Sequence, residues 1–260
     1  MPDQIPISLV QMPGRLDGLF VLEVEFFDPP TEDFDKDLVD LVGHWLGLGA
    51  SGAFCVEHSS PHQAAMSLKE FSRLNDTRRR WHLAAERCDP RCLRVLRNIL
   101  VGFSLDVHPL QTIRIDIPGS VGQPLKPLEP VNLGNESELY PEISSELGFP
   151  VDWEPSGSPW SYRRFVVQFG EPTSDVIVEA VAALIDHWEW VAVDGFPMTE
   201  EDLESGKCSI EDVRTHLFDE YSVETVVGQF GGSEAAWNSL LNSLGSFHRT
   251  TQPITRVTIE

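Results

Sequence analysis

The stretches LVGHWLGLGASG (residues 41–52) and LIDHWEWVAVDG (residues 184–195) carry Leu, His-Trp and a closing Gly at the same spacing. The register that superimposes them also pairs identical residues upstream: Val24 with Val167, Phe26 with Phe169 and Pro29 with Pro172. Identities at a fixed separation indicate an internal repeat, which decides how a fold is divided. We therefore interpret the chain as two related halves.

The segments that follow align after a shift of one residue. The later identities are Leu96 with Leu240, Asn98 with Asn242, Leu100 with Leu244, Phe103 with Phe247, Pro109 with Pro253 and Ile115 with Ile259. Upstream, LFVLEVEFF and RFVVQF alternate apolar and polar side chains, which predicts a half-buried strand in each half. Leu38, Leu41, Val42 and Trp45 have the i, i+3, i+4, i+7 spacing of one helix face, and Val181, Leu184, Ile185 and Trp188 repeat it.

The remaining elements follow in the same order in both halves. Second strands are predicted at AFCVE and EWVAVDG, and third strands at RRRWHLAAE and SVETVVGQF. Second helices bury Leu93, Leu96 and Leu100 in one half and Trp237, Leu240 and Leu244 in the other, before the closing strands LQTIRIDI and ITRVTI. The order β-α-β-β-α-β predicts an α+β chain of two tandem ferredoxin-like repeats, each an antiparallel sheet with its helices on one face.

This organisation sets the predicted domain boundaries. The first repeat, with an N-terminal extension, spans residues 1–118, and the second spans residues 163–260. Residues 119–162 are rich in Pro, Gly, Ser and Glu, which is typical of a linker. His44 and His187 would stand at equivalent helix ends, and we interpret them as exposed or capping residues rather than as a catalytic pair.

Charge and composition limit the classes of partner. The net charge is −22, and residues 120–260 hold 24 of the 41 acidic residues but 7 of the 19 basic ones. Such a molecule repels phosphate backbones, so nucleic acid is not an expected partner, whereas a basic protein is attracted. The four cysteines do not form a disulfide framework, and neither a signal peptide nor a membrane-spanning segment is predicted. We expect a soluble, cytoplasmic protein.

Two clusters contain residue types that can bind a metal ion or an anion. Cys55, His58 and His62 have a spacing that zinc could use, but the second half does not preserve it, and we predict no metal or cofactor there. Arginines between Arg78 and Arg94 could hold an anion, but pairing with the chain's own carboxylates is the simpler interpretation. The sequence contains neither a G-x-S-x-G nor an H-E-x-x-H motif, and no phosphate-binding glycine loop, so we predict a protein that is not an enzyme.

In its acidity, its compact α+β design and its lack of catalytic motifs, the sequence resembles the immunity proteins that neutralise bacterial toxins. The resemblance implies a non-enzymatic inhibitor of a basic toxin. We expect the partner to dock on the acidic residues Glu200, Glu201, Asp202, Glu204, Glu211 and Asp212.

An alternative hypothesis is a small-ligand-binding protein or enzyme, in which the two sheets enclose a pocket. His82 is the polar strand residue that such a pocket would use, provided that it points inward and its neighbour Trp81 outward.

Overall fold

The computed structural model describes residues 7–8, 15–55, 65–105, 107–117, 140, 147–153, 162–196, 211–228 and 234–260. These residues confirm the predicted α+β class, because they form two five-stranded sheets and four helices. The helices are α1 (Glu32–Ala50), α2 (Cys92–Ser104), α3 (Asp175–Gly195) and α4 (Glu234–Thr250). None of these helices is long and apolar enough to cross a membrane.

The strands divide between the two halves of the chain. The first half contributes β1 (Ile7–Ser8), β2 (Leu16–Phe26), β3 (Ala65–Arg73), β4 (Arg78–Cys88) and β5 (Leu110–Asp116). The second half contributes β6 (Val151–Trp153), β7 (Arg163–Phe169), β8 (Glu211–Asp219), β9 (Ser222–Gly228) and β10 (Ile254–Ile259).

Both sheets have the same arrangement of strands. The order is β1-β5-β2-β4-β3 in the first sheet and β6-β10-β7-β9-β8 in the second. Four strands of each sheet pair antiparallel, as predicted, but the fifth is parallel to its neighbour: β1 to β5 and β6 to β10. The prediction of purely antiparallel sheets is therefore wrong at one edge of each. Strand β6 lies inside the segment 119–162 that the sequence marks as a linker, where Val and Trp supply residues suited to a strand.

The predicted second strands are also wrong where the structure describes them, and in the second half the reason is that the first helix runs further than expected. EWVAVDG belongs to α3, where Trp188, Val191, Ala192 and Gly195 are buried at the spacing of one helix face. AFCVE lies beyond the end of α1, and within it Cys55 makes a single bridge to Cys88. The true second strands are β3 and β8, which form hairpins with the strands that follow them.

The core of each half lies between its sheet and its helices, and a tryptophan occupies the same place in both. Trp45 and Trp188 are fully buried. The indole nitrogen of Trp45 donates to the carbonyl of Cys92, 3.1 Å away, and that of Trp188 donates to the carbonyl of Ala236, 2.8 Å away. Each bond ties the first helix of a half to the start of its second helix, as expected for a tryptophan that closes the core.

Helices make the main contacts between the two halves. Helix α3 packs on both α1 and α2. The buried amide of Asn98 on α2 donates to the carbonyl of Gly195, and the amide of Asn242 on α4 donates to the carbonyl of Ala53. Each asparagine therefore donates to a backbone carbonyl at, or shortly after, the end of the other half's first helix.

A buried ion pair fixes the start of α1 on the first sheet. Asp35 and Arg79 are 2% and 3% exposed, and two hydrogen bonds of 2.8 and 2.9 Å join the carboxylate to the guanidinium. A second hydrogen-bonded arginine, Arg73, reaches Asp35 at 3.0 Å. Because a buried charge is costly alone, this pair couples α1 to the β3-β4 hairpin.

Candidate functional site

The predicted partner-binding residues lie mostly outside the described part of the chain. Glu200, Glu201, Asp202 and Glu204 fall in the segment 197–210, which the structure does not describe. Glu211 and Asp212 are the first residues of β8, and their backbone joins the second sheet. The acidic stretch therefore leads directly into an edge strand.

Strand β8 and the turn after it expose apolar side chains at that edge. Leu217, Phe218 and Tyr221 are each about half exposed, and Asp219 and Glu220 stand between them in the sequence. We call these five residues the β8 edge. The guanidinium of Arg164 lies 4.7 Å from the centre of the Phe218 ring and holds its outer face in a cation–π contact. Exposed apolar side chains with charged residues beside them have the composition of a protein-binding surface.

Four arginines of the arginine cluster form ion pairs within the chain, which confirms for them the prediction of internal pairing. Arg78, Arg79 and Arg80 bind Glu25, Asp35 and Glu23 respectively, and Arg91 binds Asp89. Elsewhere, Arg15, Arg114, Arg164 and Arg256 also contact carboxylates of this chain. The chain's own acids thus neutralise these cations.

The cysteines of the first half lie close to one another but are held as thiols. Cys88 and Cys92 are buried, and Cys55 is partly buried beside Cys88. Burial raises the pKa of Cys88 to about 12 and raises the pKa of Cys92 well above its usual value. A neutral thiol is a poor metal ligand. His58 and His62, the other residues of this motif, lie outside the described residues.

The structure separates His82 from the contact between the halves. Trp81 and Leu83 are fully buried under the helices, so His82 between them projects from the opposite, outer face of the first sheet. The strand register places His82 beside Val21 on one side and Glu70 on the other. His82 therefore does not point into an enclosed space between two sheets, as the alternative hypothesis required.

The prediction for His44 and His187 is wrong, and the reason is the extra length of their helices. Both residues lie within helices rather than at their ends, and both are half-buried where α1 meets α3. The Nδ1 atoms of the two imidazoles are 3.1 Å apart, a hydrogen bond in which one ring donates to the other. Each half thus supplies one histidine to a single contact.

The surroundings of the two rings are unequal. The His44 ring stacks on Trp190, with centroids 5.1 Å apart and an interplanar angle of 14°. The His187 ring lies against the α1 backbone at Gly47, where an added Cβ would stand 2.5 Å from its Cδ2 and Nε2 atoms. Asp186 brings a carboxylate oxygen to 3.6 Å from Nδ1 of His44. We call His44, Asp186 and His187 the histidine cluster.

Burial changes the proton affinity of one group on α1 and two on α3. It lowers the pKa of His44, against an opposing effect of Asp186 and with a further lowering by His187. It raises the pKa of Glu189, to which Asp186 also contributes, and it raises the pKa of Asp194 to about 6. The Asp194 carboxyl lies against α2 at Gly102, where an added Cβ would be 2.4 Å from its Cγ. The first of these shifts favours a neutral imidazole at His44, with a nitrogen lone pair available.

Within the described residues, the histidine cluster is the group whose ligand atoms come close enough together to share a metal ion, all within 4.8 Å of one another. The sequence did not predict this cluster. A signal was present, because a residue that aligns with its own kind in an internal repeat stands at an equivalent place in both halves and can meet its copy.

Comparison with known proteins adds little. No family model matches the chain, and no curated protein matches its sequence. Among solved structures, the Cas6 protein of Thermus thermophilus aligns with 95% of this chain and 100% of its own, at 13% identity and a TM-score of 0.19. A likeness at that TM-score carries no argument about this protein.

Proposed function

We propose that this protein is an acidic, non-enzymatic binding protein, built from two tandem ferredoxin-like repeats, that neutralises a basic protein partner. A bacterial toxin is the class of partner that fits the profile. The observation that carries the proposal is the β8 edge, where exposed apolar side chains lie at the end of the strand that begins with the acidic residues Glu211 and Asp212.

The chain's distribution of charge supports a basic partner. Acidic residues outnumber basic ones by 41 to 19, and in the described part of the chain nine arginines are already engaged by its own carboxylates. Many carboxylates therefore have no cation within the molecule to balance them. The resulting field attracts a basic protein and raises its association rate, while the apolar residues of the edge contribute affinity after contact.

The duplicated architecture is supported by three features of the two halves. Their sheets have the same strand order, their buried tryptophans make equivalent bonds, and Asn98 and Asn242 make reciprocal bonds across the contact between them. Within each half the strand order and the two helices on one face correspond to the ferredoxin-like arrangement.

Affinity capture from the native host at low salt tests the proposal, with the intact chain as bait. We expect a basic protein that is released as salt rises, that inhibits growth when produced alone and that becomes harmless when produced with this chain. Its association rate, measured by stopped flow, should fall at least ten-fold between low and high salt.

A variant at the edge identifies the surface. Phe218→Ser should weaken the complex by at least ten-fold, mainly through faster dissociation, because it removes an aromatic side chain from the proposed contact. Val176→Ser is the matched control, since Val176 is an exposed apolar residue at the start of α3. A captured partner that is acidic, an association rate indifferent to salt, or equal effects of the two variants would contradict the proposal.

A further inference from the structure

The histidine cluster brings three side chains of metal-binding types together where α1 meets α3. We propose that His44, His187 and Asp186 bind a divalent transition metal ion, zinc in the first place, and that the ion ties the two halves of the chain together. The proposal is independent of the partner-binding function, since it concerns the contact between α1 and α3.

The distances between ligand atoms carry the argument. Around a tetrahedral zinc ion with bonds of about 2.0–2.1 Å, two ligand atoms stand about 3.4 Å apart. The two imidazole Nδ1 atoms are 3.1 Å apart, and Asp186 Oδ2 is 3.6 Å from Nδ1 of His44. These two separations are within a few tenths of an ångström of that value, and all three ligand atoms lie within 4.8 Å of one another, so modest side-chain rotations bring them to bonding distance from one ion.

The ligand set also matches the metal. Neutral imidazole nitrogens and one carboxylate oxygen are ligands that zinc takes in proteins, and a fourth position remains for water. Asp186 is exposed, with a side chain at 56%, and His44 is 17% exposed, so the site is accessible from solvent. Magnesium and calcium prefer oxygen ligands, so the cluster selects against them.

The packing around the cluster holds the rings in position. Trp190 stacks on the His44 ring, and Gly47 lets the His187 ring rest against the helix backbone. Both contacts limit the movement of the imidazole rings. A site that is already assembled loses little conformational freedom on binding its ion.

The link between the halves follows from where the ligands originate. His44 lies on α1 of the first half, whereas Asp186 and His187 lie on α3 of the second. An ion bound by all three joins the halves directly. Binding of the ion should therefore stabilise the folded chain, increasingly so as the concentration of free ion rises above the dissociation constant of the site.

The test uses the full chain, stripped of metal by a chelator and kept reduced. Zinc is titrated against a chromophoric competitor, and cobalt is bound separately so that its spectrum reports the ligand type. We expect one zinc per chain that depends on the cluster, and a cobalt complex without a thiolate-to-metal charge-transfer band. The band separates this site from one that uses Cys55 or Cys88.

Variants then assign the ligands. His44→Ala and His187→Ala should each weaken zinc binding at least ten-fold, and the exposed Asp186→Asn should do so without a risk to folding. His44→Gln and His187→Gln keep a hydrogen-bonding side chain if alanine disturbs the packing. His216→Ala, at an exposed histidine on β8, is the control and should change nothing. No zinc binding, binding unaffected by these ligand variants, or a cobalt site made only of thiolates would overturn the proposal.

Discussion

Gly43 and Gly47 lie one turn apart on α1, and the same change to alanine should affect stability differently at the two positions. Alanine in the interior of a helix is favoured over glycine by about 1 kcal/mol. At Gly43 an added Cβ meets nothing within 4 Å, so Gly43→Ala should raise the free energy of unfolding by about that amount. At Gly47 the same Cβ meets three atoms of the His187 ring, at 2.5, 2.5 and 2.8 Å.

The contact at Gly47 determines the size of the difference. Ordinary contacts between carbon atoms begin at about 3.5 Å, so the ring or the helix must move by about 1 Å, and overpacking of this kind costs about 1–3 kcal/mol. The gain in helix propensity is common to both variants. The difference between their free energies of unfolding therefore measures the clash alone, and we expect it to be about 1–3 kcal/mol.

Urea unfolding followed by far-UV circular dichroism measures both variants, with the slopes compared to check that the unfolded states match. The same pair is then made in a His187→Ala background, which removes the atoms that clash. There the two alanine variants should agree within about 0.5 kcal/mol. A Gly47→Ala protein as stable as Gly43→Ala in the native background, or a difference that survives without His187, would refute the reasoning.

Two further predictions concern buried charges. Arg79→Met leaves Asp35 buried with Arg73 as its remaining ionic partner, so the free energy of unfolding should fall by about 3 kcal/mol. Adding Asp35→Leu should restore most of that loss. A loss under about 1 kcal/mol for Arg79→Met would contradict this prediction. Asp194 has a folded pKa of about 6 against an ordinary value of 3.8, so the folded state holds the proton more tightly and the wild type should lose stability as pH rises from about 4 to 7. Asp194→Asn should lack that loss and exceed the wild type by up to about 3 kcal/mol at pH 7 in urea unfolding, with little difference at pH 4; parallel pH profiles would contradict the assignment.

Much of the framework could be predicted because it depends on side-chain periodicity. The alternation in β2 and β7 and the helical spacing around Trp45 and Trp188 reflect which face is buried, and the structure buries those residues. The predicted third strand and closing strand of the first half, which are β4 and β5, were found for the same reason. The periodicity of apolar side chains in the sequence predicts burial reliably when an element has one buried face.

The second strands could not be predicted, for two physical reasons. A short apolar run such as WVAV fits a strand or the last turns of a helix equally well, and only its length and tertiary packing decide between them. The true strand β8 is an edge strand with mostly exposed side chains, including Arg214 and His216, so its sequence lacks an apolar period. The position of the histidines depended on the same error, because helices that ended early would have kept His44 and His187 apart.

The histidine cluster was beyond sequence reasoning in another way. His44 and His187 are 143 positions apart in the sequence, and Asp186 is adjacent to His187. No local sequence spacing therefore joins His44 to the other two residues. What unites them is the packing of α1 on α3, which depends on the relative placement of the two halves. The repeat register gave the equivalence of the two histidines but not the direction in which either one faces.

The unequal surroundings of the two histidines carry a consequence for how such a protein can change over evolutionary time. In the repeat register Gly47 corresponds to Trp190 and Gly43 to Asp186. In a homodimer of a single repeat, every substitution would appear on both sides of the contact at once. A tryptophan that stacks on one histidine, as Trp190 does on His44, would then also stand at the position of Gly47, where it would clash with the other histidine. A fused chain removes that constraint, and each side of the contact is free to acquire its own residue.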